Sequence, residues 1–81
     1  MSSEIPYLQM AIIYDHPTDH PNSFVVREWR VSADGEPEAA ASFALFDTAA
    51  QAQAYVRSEY PDMELVEQEN DPETCVFEIW R

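Results

Sequence analysis

The chain has 81 residues, 46% of them apolar, with two Trp, four Tyr and four Phe, enough bulk for one hydrophobic core and too little for two. Four Arg and no Lys face sixteen Asp and Glu, a formal net charge of −12, which argues against direct binding to DNA, RNA or anionic lipid because those surfaces are gripped by Lys and Arg. A single Cys and an N-terminal MSSEIPYLQMAII that is acidic at its start and too short in its apolar run to span a bilayer speak against a disulfide-stapled secreted domain, a signal peptide or an anchor; a cytoplasmic location is expected.

Residues 7–14 (YLQMAIIY) are aromatic and β-branched and stop at the Pro-rich DHPTDHPN, which predicts a strand followed by a loop. Residues 24–32 (FVVREWRVS) alternate, with Val25, Arg27, Trp29 and Val31 on one side and Phe24, Val26, Glu28 and Arg30 on the other, the pattern of a second strand pairing antiparallel with the first. ADGEPE at 33–38 holds the only Gly, in an Asp-Gly pair, and reads as a turn.

A third strand is expected over residues 41–46 (ASFALF). Thr48 and Gln51 then stand at the spacing of a capping box, so a helix should begin there and run to about Glu59, before Pro61. Ala49, Ala52, Tyr55 and Val56 form its apolar stripe. Residues 63–68 (MELVEQ) and 74–80 (TCVFEIW) predict two more strands. The resulting fold class is α+β, an antiparallel sheet of four to five strands with one helix packed on one face, in the order β-β-β-α-β-β and in a single domain over 1–81.

Glycine loops and a P-loop lysine are missing, which leaves nucleotide chemistry without its usual parts and excludes Schiff-base catalysis. The densest ligand-like segment is DHPTDHP, with Asp15, His16, Asp19 and His20 in six residues. Imidazole and carboxylate suit divalent metals, but Pro17 and Pro21 oppose the helix that would put both histidines on one face. A rigid polar connection is the preferred reading, and no metal or other cofactor is expected. Cys75, in the apolar period of the last strand with Phe77 and Ile79, reads as a small hydrophobe in preference to a nucleophile. Trp29 and Trp80 read as core residues, and Arg27, Arg30 and Arg57 as partners of neighbouring carboxylates. No catalytic residue stands out, so the chain is expected not to be an enzyme.

The charge is concentrated. Residues 59–73 hold Glu59, Asp62, Glu64, Glu67, Glu69, Asp71 and Glu73 and no basic residue. In an extended chain the alternating Glu67, Glu69, Asp71 and Glu73 would point the same way at about 6.6–6.8 Å intervals, a row of negative charge with a spacing akin to nucleic-acid phosphates. Asp34, Glu36 and Glu38 are candidates to extend the same surface. A basic protein, in particular one that handles nucleic acid, is the natural partner of such a row; the charge opposes self-association and so predicts a monomer.

In size and charge the chain resembles the small acidic inhibitors encoded by phages and mobile elements, the anti-CRISPR proteins and other DNA mimics. That resemblance covers the whole chain, rests on no motif, and assigns no individual residue a role. It implies a block on target-DNA binding by a CRISPR effector complex or a comparable assembly. Three other readings share the charge signal: an acidic adapter or toxin-neutralising bacterial protein, a domain made acidic by adaptation to high salt, and an enzyme. Clustering of the carboxylates on one surface would favour a specific interface, and an even spread would favour salt adaptation.

Overall fold

The computed structural model describes residues 8–31, 35–69 and 73–81. The element order is β1 (Leu8–Asp15), β2 (Phe24–Val31), β3 (Pro37–Phe46), α1 (Ala49–Glu59), β4 (Leu65–Gln68) and β5 (Val76–Trp80). The five strands form one antiparallel sheet in the order β3-β2-β1-β5-β4. The expected α+β architecture is thus the one observed. Tyr7 and Ser32, at the ends of the first two expected strands, and Asp34, in the Asp-Gly turn, lie outside the described residues.

β1 and β2 pair from Leu8↔Val31 to Asp15↔Phe24 without interruption. Their connection is closed by backbone bonds from His16 N to Ser23 O (3.0 Å), His20 N to Pro17 O (2.9 Å) and Ser23 N to His20 O (3.2 Å). Proline supplies the fixed φ that such turns use. β3 starts earlier than the composition suggests: Pro37 and Glu38 belong to the strand, opposite Val31 and Arg30, whereas the expected turn ran to residue 38. The first position of an edge strand tolerates a proline, since its missing N–H costs no interior ladder bond. Ahead of the strand, Gly35 stands at φ +85°, a left-handed conformation favoured by glycine.

The helix cap is the expected one. Gln51 N donates to Thr48 Oγ1 (3.2 Å), while Gln51 Oε1 accepts from Thr48 N (3.3 Å) and Asp47 N (3.0 Å). Helix α1 leaves β3 at one edge and delivers the chain to β4 at the other, so it must cross the sheet. Its inward residues Ala52 and Val56 join Ala11, Ile13, Val26 and Trp80 in the buried core, with Phe24, Phe46, Tyr55, Tyr60, Met63 and Phe77 packed around them. Each fully buried Val or Ile contributes about 1.5–3 kcal/mol. The small side chains of Ala11 and Ala52 suit close packing of helix on sheet.

Two departures from regular pairing shape the rest. In β3, Arg27 faces Phe43 and Trp29 faces Ala39, so Ala40, Ala41 and Ser42 bulge opposite Glu28 alone. Arg27 Nη1 donates to Ala40 O at 3.2 Å, and its guanidinium lies 4.8 Å from the Phe43 ring centroid. In β5, Tyr14 faces Val76 but Ile13 faces Glu78, leaving Phe77 in a bulge. Phe77 packs with the core cluster and makes a T-shaped contact with Phe24 at 5.6 Å. Cys75 therefore lies before the strand, at φ +63°, and not in its apolar period; the bulge breaks that period.

The face of the sheet away from α1 carries Met10, Ile12 and Tyr14 from β1, Val25, Arg27 and Trp29 from β2, Ala39, Phe43 and Leu45 from β3, and Ile79 from β5. Phe43 and Leu45 are 40% and 48% exposed. Sequence alternation predicts a polar outer face for a two-layer fold. This one is largely apolar.

Candidate functional site

Among the described residues, the acids singled out in the sequence do not form one row. Glu59 closes α1, Asp62 and Glu64 follow it, and Glu67 lies on β4; all four are exposed. Glu64 N donates to Arg81 O (2.9 Å) and Arg81 N to Glu64 O (3.0 Å), which extends the β4–β5 ladder by one pair. Glu69 is half-buried and continues the ladder at the other end, its N–H bonded to Phe77 O at 2.9 Å. Glu73 falls in a turn, and Asp71 is outside the described residues. β4 and β5 pair antiparallel, with Gln68 facing Glu78.

Glu36 and Glu38 are exposed at the start of β3. β3 and β4 are opposite edges of the sheet, separated by four strand spacings, about 19 Å. Glu38 faces Arg30 across the β2–β3 ladder. Glu64 and Glu67 thus lie at one edge and Glu36 and Glu38 at the other, while Glu59 and Asp62, at the end of α1, line a groove with Gln9 of the central strand β1. Arg57 and Arg81 flank the β4 edge; Arg57 lies 5.3 Å from the Trp80 ring centroid.

Of the three arginines expected to pair with carboxylates, Arg30 does so, its Nε 3.0 Å from Glu28 Oε2. Arg27 instead fills the β3 bulge, and Arg57 packs over Trp80. Glu28 also accepts from Gln9 Nε2 (2.8 Å) and Tyr60 Oη (3.2 Å). The Gln9 hydrogen bond, helped by Arg30 and Tyr60 against the opposing effect of burial, holds its carboxyl below the ordinary range. Burial, then the Glu28 charge and hydrogen bond, push the Tyr60 phenol up to about 12.

His16 Nδ1 contacts Asp15 Oδ1, and its ring packs edge-on against Phe24 at 5.0 Å. His20 Nε2 is 3.9 Å from Asp19 Oδ2, with its ring 4.9 Å from that of Phe43. Both imidazoles thus serve to seat the 16–23 loop against the sheet. Among the described residues no three His, Cys, Asp or Glu side chains gather as a metal site.

Two features escaped sequence reasoning. The first is Glu78, fully buried. Its Oε2 accepts from Gln53 Nε2 (2.7 Å) on α1 and Gln68 Nε2 (2.9 Å) on β4, and its Oε1 from Trp80 Nε1 (3.1 Å). A Glu inside VFEIW was the available signal, but its two glutamine partners come from other elements. The second is a cleft of about 500 Å³ on the open face, between the sheet, the 16–23 loop and the segment entering β5. Tyr14, Val25, Arg27 and Trp29 line it, with Asp19, Glu73 and half-buried Cys75. Trp29 Nε1 donates to Tyr14 Oη at 3.0 Å. Burial raises the Tyr14 phenol pKa, against the lowering effect of that hydrogen bond. Trp29 is therefore a half-buried wall of this cleft, whereas Trp80 is core.

Compared with protein-family models, curated proteins and solved structures, the chain matches none. No helix among the described residues is long and apolar enough to cross a membrane.

Proposed function

We propose that this chain is a non-enzymatic binding protein whose carboxylate-rich β4 edge occupies a basic groove, most specifically a groove that otherwise holds nucleic acid. The anti-CRISPR mode, blocking target DNA from a CRISPR effector complex, is the concrete form of this reading. The observation that carries it is the run of exposed carboxylates Glu59, Asp62, Glu64 and Glu67 from the end of α1 through β4, in a segment without a basic residue. Such an edge accelerates encounter with a cationic surface and makes the complex sensitive to salt.

The test is competition. A purified DNA-binding effector is mixed with labelled target duplex and increasing amounts of the chain, at several ionic strengths. Displacement of the duplex should weaken steeply with salt, and the double reversal Glu64→Lys with Glu67→Lys should weaken it about tenfold or more. Unchanged displacement by the reversed variant refutes the reading. An acidic adapter that binds a basic protein unconnected with nucleic acid is the second reading, favoured by the apolar open face, which a phosphate-gripping groove does not require.

A further inference from the structure

The open face and its cleft have no part in a purely electrostatic account. A partner that only grips phosphates offers charge, and charge leaves half-buried Trp29 and exposed Phe43 and Leu45 uncovered. The indole N–H of Trp29 is engaged by Tyr14, so that pair presents mainly ring surface to the cleft. Arg27 is held by the Ala40 carbonyl and the Phe43 ring, which keeps the guanidinium at the β3 bulge. The cleft's volume of about 500 Å³ falls within the range of sites that enclose compact apolar groups. Acids border the same face: Asp19 and Glu73 line the cleft, and Glu67 stands on this face because it pairs with Ile79.

We propose that this face docks a basic segment of a protein partner through an apolar or aromatic anchor seated in the cleft, with flanking Lys or Arg meeting Asp19, Glu67 and Glu73. Charge complementarity selects this occupant. A second copy placed face to face would juxtapose the same three acids from each chain, and two bodies each with a formal charge of −12 repel. A segment with cationic residues around a hydrophobic anchor meets both the apolar floor and the acidic border. The inference rests on the basic-partner reading above and adds the anchor to it.

The probes are two short synthetic peptides of equal positive charge, labelled for fluorescence anisotropy. One carries a central Trp-Leu pair among Lys and Arg; in the other that pair is Gly-Ser. The native chain should bind the Trp-Leu peptide about 30-fold more tightly, the factor a buried anchor typically contributes. Trp29→Ala, which opens the cleft, and Ala39→Trp, which fills it, should each erase that difference while retaining the weaker binding of the Gly-Ser peptide. Far-ultraviolet circular dichroism checks that both variants fold, and exposed Leu45→Asp gives a third variant that leaves the core untouched. Equal binding of the two peptides to the native chain overturns this inference alone. Binding of neither peptide at low ionic strength overturns the basic-partner reading as well. A dimer in sedimentation equilibrium that Leu45→Asp dissociates assigns the face to a second copy and also overturns it.

Discussion

Removing one donor from the buried Glu78 carboxylate should destabilise the whole domain. In Gln53→Ala, Oε2 loses its 2.7 Å bond from α1 and keeps the 2.9 Å bond from Gln68, while Oε1 keeps Trp80. A hydrogen bond to a charged group contributes about 1.5–3 kcal/mol, and alanine's better helix propensity returns only a few tenths of that. The net loss is then about 1–3 kcal/mol, against a total of about 4–12 kcal/mol for a chain of this size. For a domain of this length it corresponds to a fall in Tm of roughly 5–20 °C. Urea denaturation at neutral pH measures it as a lower midpoint at unchanged m-value. Gln68→Ala should behave alike, and because both amides bond the same oxygen the double variant should depart from additivity by about 0.5 kcal/mol or more. Glu78→Gln should also destabilise, since an amide offers one acceptor oxygen where two now receive three donors. A Gln53→Ala variant within about 0.5 kcal/mol of the native chain, the range of ordinary surface substitutions, would refute the view that these bonds tie α1, β4 and β5 together.

Thr48→Ala removes the side-chain acceptor for Gln51 N and should cost about 1 kcal/mol in urea denaturation. Glu28, with its folded pKa depressed, contributes stability that is present above its unfolded pKa and lost as pH falls through the folded value. The acid limb of the native stability profile should therefore be steeper than that of Glu28→Gln, and superimposable limbs would contradict it. Tyr60, raised to about 12, has the opposite sign: its contribution is complete below the unfolded pKa and is lost as pH climbs toward 12. Tyr60→Phe should remove the latest-titrating component of the near-ultraviolet tyrosinate absorbance and flatten the alkaline fall in stability.

Much of the architecture was legible because its determinants are local. Thr48 and Gln51 form a capping box within one helical turn, so residues three apart suffice to announce it. Ala52 and Val56 are one helical turn apart and meet the core as their spacing requires. The alternation in β2 assigned Val26 and Val25 to opposite faces correctly. It could not say that both faces would be apolar in use, one against α1 and the other around the cleft.

The acidic site was legible in number and not in arrangement. Residues 59–73 are contiguous in sequence, yet Glu59 and Asp62 lie beside Gln9 of β1, Glu67 lies on β4, and Glu36 and Glu38 lie at the far edge. Cys75 was assigned to an apolar strand period that the Phe77 bulge interrupts. A bulge depends on which strand lies opposite, and that information is held by β1. The Gln53, Gln68 and Trp80 donors around Glu78 likewise come together only when α1, β4 and β5 are packed.

By itself, then, the sequence determined the net charge, the order of elements, the helix cap and the inward stripe of α1, all set by composition or by residues a few positions apart. Only the tertiary structure decided which strands became edges, where the carboxylates ended up relative to one another, and that Tyr14, Trp29 and Cys75 would border a common cleft. The physical reason is that strand pairing joins residues tens of positions apart, and a single bulge changes which side chains share a face.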